Sequence, residues 1–91
     1  MDRDSAPESI LAFPCEFPIK VMGRAQHGYA QAILEVVKRH APDFDEATME
    51  MRSSREGRYL SLTFTIDAVS REQLDGLYRE LCDHPMVSMV L

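Results

Sequence analysis

TMEMRSSREGRYLSLTFTI, Thr48 to Ile66, is the stretch on which the architecture turns. Its first third alternates Thr48, Glu50 and Arg52 with Met49 and Met51. Its last part alternates Leu60, Leu62, Phe64 and Ile66 with Tyr59, Ser61, Thr63 and Thr65. A two-residue period sends successive side chains to opposite faces, so each run predicts a strand. Between them lies SSREGR, Ser53 to Arg58, polar and containing Gly57, which has the composition of a hairpin turn. The second strand is the cleaner one, with one oily face and one face rich in hydroxyls.

Working outward, Ala30, Ile33, Leu34 and Val37 recur at three- and four-residue spacing within Gly28 to Ala41 and predict a helix with one apolar stripe. Lys38, Arg39 and His40 fall in its last turn, where cations suit the negative end of the helix dipole, and Pro42 stops it. Before it, Phe17, Ile19 and Val21 alternate with Pro18, Lys20 and Met22. Proline has no N–H for a ladder, so Pro18 belongs at the first residue of that strand or on an edge, and pairing is expected from about Ile19. Downstream, Ser70 and Gln73 have capping-box spacing, and Leu74, Leu77, Tyr78 and Leu81 form a second helical stripe ended by Pro85. A last strand reads Val87, Met89 and Leu91 inward and Met86, Ser88 and Val90 outward. Met49, Met51 and Met89 are expected as core filler, a use that suits a flexible thioether.

The element order is strand, helix, strand, strand, helix, strand. Right-handed crossovers with both helices on one sheet face make this the α+β ferredoxin-like βαββαβ plait, a four-stranded antiparallel sheet in the order 4-1-3-2. Its 91 residues, 45% hydrophobic and 27% charged, fit one domain with one core. Residues 1 to 14, with Asp2, Asp4, Ser5, Pro7, Glu8 and Ser9, predict a flexible tail before a domain at 15–91; Ile10, Leu11 and Phe13 are its apolar residues, free to dock. The apolar run ILAF is too short for a secretion signal, and no stretch approaches the roughly 20 apolar residues of a membrane span, so a cytoplasmic protein is expected. Cys15 and Cys82 are too few and too far apart for a zinc framework and are expected as free thiols; no metal or cofactor is expected.

Several blocks together resemble the YbeD-like family of small bacterial proteins: F17-P-I-K20-V-M-G23, V36-V37-K-R39-H40-A41-P42, the S53-S54 turn into G57-R-Y59-L-S61, L77-Y78-R-E80-L81 and M89-V90-L91. The resemblance covers about Phe13 to Leu91. It implies the same plait, similar to the ACT regulatory domains of amino-acid metabolism, no established enzyme activity, and a tie to lipoate metabolism. ACT domains often bind amino acids near the link between the first strand and first helix.

Followed through this topology, three connections meet at one end: Arg24 to Gly28, Ser53 to Arg58 and Asp83 to Pro85. That end gathers Gly23, Arg24, His27, Gly28, Arg55, Arg58 and His84 at the positive end of the first helix, a place for a small anionic metabolite such as a carboxylate or amino acid. The plainer account is that the glycines serve the backbone and the arginines are solvated. Tyr59, Ser61, Thr63, Thr65 and Ser88 mix hydroxyls with modest apolar surface and suit a protein partner or a homodimer; the plainer account is a wet sheet face. The alternative use of that face is as an RNA-binding module, but Tyr59 is its one aromatic and the net charge is -5, both against nucleic acid. No G-x-S-x-G elbow or phosphate-cradling glycine loop occurs, so a non-enzymatic regulatory or interaction module is expected.

Overall fold

Hairpin geometry organises the molecule. Strand β2 (Glu50–Ser53) and strand β3 (Tyr59–Ala68) pair antiparallel, closed by Ser54, whose N–H donates to the Tyr59 carbonyl at 2.9 Å and whose Oγ accepts from the Tyr59 N–H at 3.0 Å. Gly57 turns the loop with φ +77°, a backbone angle that side chains disfavour. The computed structural model describes residues 12–91. It adds strand β1 (Cys15–Arg24), helix α1 (Tyr29–His40), a 3-10 turn (Glu46–Thr48), helix α2 (Arg71–Asp83) and strand β4 (Met89–Val90). The sheet order is β2-β3-β1-β4, the 4-1-3-2 order read in reverse. Of the tail expected at 1–14, residues 1–11 lie outside the described residues, while Phe13 packs partly buried against the core.

One core lies between the helices and one sheet face. Ile19 and Val21 of β1 and Leu62, Phe64 and Ile66 of β3 meet Ile33, Val36 and Val37 of α1 and Leu77 and Leu81 of α2. Two members were not apparent from the helical stripes. Phe44, in the loop after α1, sets its ring edge-on to Phe64 at 5.4 Å. Tyr29 is fully buried, donates its hydroxyl to the Val21 carbonyl at 3.2 Å, and has its phenol pushed up to about 12 by burial.

Three expectations need correction. Pairing of β1 with β3 begins at Cys15, opposite Ala68, rather than near Ile19. Lys20 exchanges backbone bonds with Leu91 (3.1 and 2.8 Å), so Pro18, two residues earlier, also turns its nitrogen to the β4 side. Because β4 is only Met89–Val90, no strand lies there to miss the donor. The final strand is also out of phase with the sequence reading: Val90 lies opposite Val21, on the core side, and Met89 lies opposite Met22, on the open side. A turn closed by the Val87 N–H on the His84 carbonyl (3.1 Å) delays the pairing, and a one-residue shift exchanges the two faces. Finally, Met51 and Met89 are 56% and 50% exposed rather than core filler, because all of β2 lies beyond the cover of the helices and Met89 is on the open face; Met49 does pack on the core.

The start of α2 is capped as expected at Ser70, whose Oγ accepts from the Gln73 N–H at 3.0 Å. Gln73 reaches back one residue further than a capping box requires: its Oε1 accepts from the Val69 N–H at 2.7 Å, and its Nε2 donates to the His40 carbonyl at 2.8 Å. One side chain thus serves the start of α2 and the end of α1. Glu80 joins the same two helices, accepting from Arg39 and lying 2.7 Å from His40 Nε2; these partners hold its carboxyl below the usual carboxylate range. Ser70→Ala is expected to cost about 1 kcal/mol, read as a lower urea midpoint at unchanged slope.

Candidate binding site at the hairpin end and open sheet face

The Ala25 N–H donates to the Arg58 carbonyl at 2.7 Å, fastening the β1–α1 link to the hairpin. Gly23 backs onto the corner after α2: a Cβ there would lie 2.3 Å from the Met86 carbonyl oxygen and 2.6 Å from Tyr29 Cε1. All three connections therefore share one end of the sheet. Arg24 is exposed at the end of β1, opposite Tyr59; His27, Arg55 and Arg58 are exposed on the loops, and Arg58 lies 3.6 Å from Glu56. Gly28 caps α1 with φ +84° and no side-chain partner; the Tyr29 N–H donates to the Gln26 carbonyl at 3.1 Å, which leaves the N–H groups of Ala30 and Gln31 as the open donors of the first turn. His84 is half-buried, and its Nδ1 accepts from the Met86 N–H at 3.1 Å, so that nitrogen is engaged within the corner.

The register maps the open face in rows across the sheet. From the far end these are Glu16–Asp67, Pro18–Thr65, Lys20–Thr63–Glu50, Met22–Ser61–Arg52 and Arg24–Tyr59. Met89 extends the Met22 row, and Leu91, bonded to Lys20, extends the middle row. Tyr59, Ser61, Thr63 and Thr65 thus share this face as expected from their alternation. Ser88 does not belong to the set, because the phase of β4 gives the open side to Met89 and Leu91. Tyr59 is the sole aromatic that β1 and β3 place on this face. Shallow hollows of about 210 Å³ beside Lys20, Glu50 and Arg52, and about 100 Å³ beside Met22, Arg52 and Tyr59, run across it.

Charge is unevenly distributed over this surface. Arg52 adds to Arg24 and the hairpin arginines at one end, whereas Glu16 and Asp67 occupy the other, beside a hollow of about 430 Å³ that Asp43 and Asp45 also line. The sequence reading missed Arg52, Lys20 and Met22. The period of each strand carried the signal, but only the register between strands shows which residues are neighbours. Cys15 is half-buried at the start of β1, Cys82 is exposed near the end of α2, and both are free.

A family described as "Protein of unknown function (DUF493)" matches residues 8–91. The chain belongs to the DUF493 family. Among curated DUF493-like relatives, the UPF0250 protein of Nitrosomonas europaea is 61% identical over 92% of this chain and 97% of its own length. That of Bordetella pertussis is 57% identical over 92% of both chains. The YbeD-like resemblance read from the residues agrees with this membership. Among solved structures, a protein from H. pylori is similar with a TM-score of 0.72 at 12% identity, over 89% of this chain and 85% of that one. The ACT domain from GTP pyrophosphokinase of Chlorobium tepidum is similar with a TM-score of 0.63 at 18% identity, over 84% of each chain. At such identities the likeness concerns the fold, which for this DUF493 chain is ACT-like and ferredoxin-like.

Proposed function

We propose that this DUF493 protein is a non-enzymatic regulatory or interaction module that takes a small carboxylate-bearing metabolite, such as an amino acid, at its hairpin end. The observation that carries this reading is the set of exposed arginines there. Among the described residues, Arg24, Arg52 and Arg55 have no ion-pair partner, in a chain of net charge -5. A guanidinium presents a planar fork of donors that matches a carboxylate, and it stays protonated at neutral pH, so it binds without doing proton chemistry. The adjoining start of α1 adds the N–H groups of Ala30 and Gln31 and the positive end of its dipole.

The test is an amide-resolved NMR titration of the full chain with glycine, lipoate and succinate. Saturable shifts are expected at 24–28 and 55–58, weakened about tenfold in Arg24→Gln, the loss of one charge-assisted contact. Silence of those amides toward every ligand would remove the proposal.

A further inference from the structure

We infer that the open sheet face is the docking surface for a second copy of this chain, the two sheets packing face to face with their strands in opposite directions. This rests on the row map and needs no metabolite at the hairpin end. Three large apolar side chains, Tyr59, Met89 and Leu91, stand 44%, 50% and 61% exposed, and the register gives all of them to this one face. Met22 lies among them. Apolar residues of this size, bordered by charge on the β1 side, have the composition of a small interface patch.

The charges choose the occupant and its direction. The Glu16–Asp67 row sits at one end, Arg24 and Arg52 at the other, and the middle row holds Lys20 and Glu50, whose charges cancel. Such a surface is complementary to itself at its two ends under one operation, while Lys20 and Glu50, on the axis, each meet their own copy at an electrostatic cost. A two-fold axis between the sheets, lying along the middle row, sets the acid row of each copy against the arginine end of its mate; an axis along the strands would set arginine on arginine. Self-complementarity of this kind is what an isologous dimer requires. Within one chain Glu16 and Asp67 are cross-strand neighbours of like charge, an unfavourable arrangement that an arginine from a second copy relieves.

The sheet edges offer a poorer route. Strand β4 has two residues, β2 has four, and Pro18 removes a donor from the side of β1 that β4 leaves uncovered, so neither border presents a long ladder. The face spans about 27 Å along the strands and about 14 Å across, or roughly 400 Å² per copy, about half of what each partner buries in a standard specific interface. The dimer is therefore weak and sensitive to salt.

Sedimentation equilibrium of the full chain from about 10 µM to about 1 mM, at low and at high salt, reads this directly. Dimer is expected toward the upper concentrations and less of it in salt. Arg24→Glu and Glu16→Arg, each at an exposed position, should each raise the dissociation constant about tenfold, and the double reversal should return it to within about threefold of the parent. Arg79→Glu, on the exposed side of α2, should leave it unchanged, and far-UV circular dichroism checks that each variant is folded. A chain that stays monomeric at the highest concentration overturns the inference. So does a dimer indifferent to both single reversals, or a double reversal no better than either single.

Discussion

Phe64→Ala is expected to lower the unfolding free energy by about 3 to 5 kcal/mol, a large part of what holds a domain of this size together. Phe64 lies mid-way along β3, opposite Ile19, fully buried, with the Phe44 ring edge-on at 5.4 Å. Truncation removes the transfer gain of the ring and opens a cavity, because the neighbours belong to a paired strand and a packed helix and can follow only in part. Phe44 also loses the partner that holds its loop on the core. Urea unfolding followed by circular dichroism should show a much earlier midpoint. Phe64→Leu, which keeps most of the volume, should cost less than half as much; equal losses from the two variants would mean that the cavity argument is wrong.

Gly23→Ala should cost about 3 kcal/mol, the upper end of what overpacking does. Ordinarily one methyl in a strand is harmless or mildly stabilising. Here it would meet the Met86 carbonyl oxygen at 2.3 Å and Tyr29 Cε1 at 2.6 Å, and neither can swing aside. The oxygen is backbone in the corner between α2 and β4, and the Tyr29 hydroxyl is tied to the Val21 carbonyl. The corner must therefore move, and with it the Ser88 N–H bond to the Met22 carbonyl at 2.8 Å that begins the β4 pairing. A variant as stable as the parent, with unshifted amides at 86–90, would count against this packing.

Much of the fold was legible from local pattern. The Leu60, Leu62, Phe64 and Ile66 alternation, the two helical stripes and the Ser70 cap each depend on residues within a few positions of one another, and sequence displays such relations directly. Relations set by distant partners were hidden. The phase of β4 depends on where the turn after Pro85 releases the chain, and the exposure of Met51 depends on how far the helices reach over β2. Tyr29 stands four residues before Ile33, on the same stripe, yet its burial follows from the bare backbone of Gly23 beneath its ring. The candidate rim could be assembled from topology, since it needed only chain direction. Arg52 and the polarity of the open face could not, because they need the register of three strands.

The bond from Ala25 to Arg58, with the contact of Gly23 against Met86 and Tyr29, moors the first connection at two points before anything arrives there. A segment already set in shape surrenders little conformational freedom on association. Encounter of the proposed metabolite with that pole should therefore proceed in a single kinetic phase linear in concentration, without the slow rearrangement that a loose loop would impose.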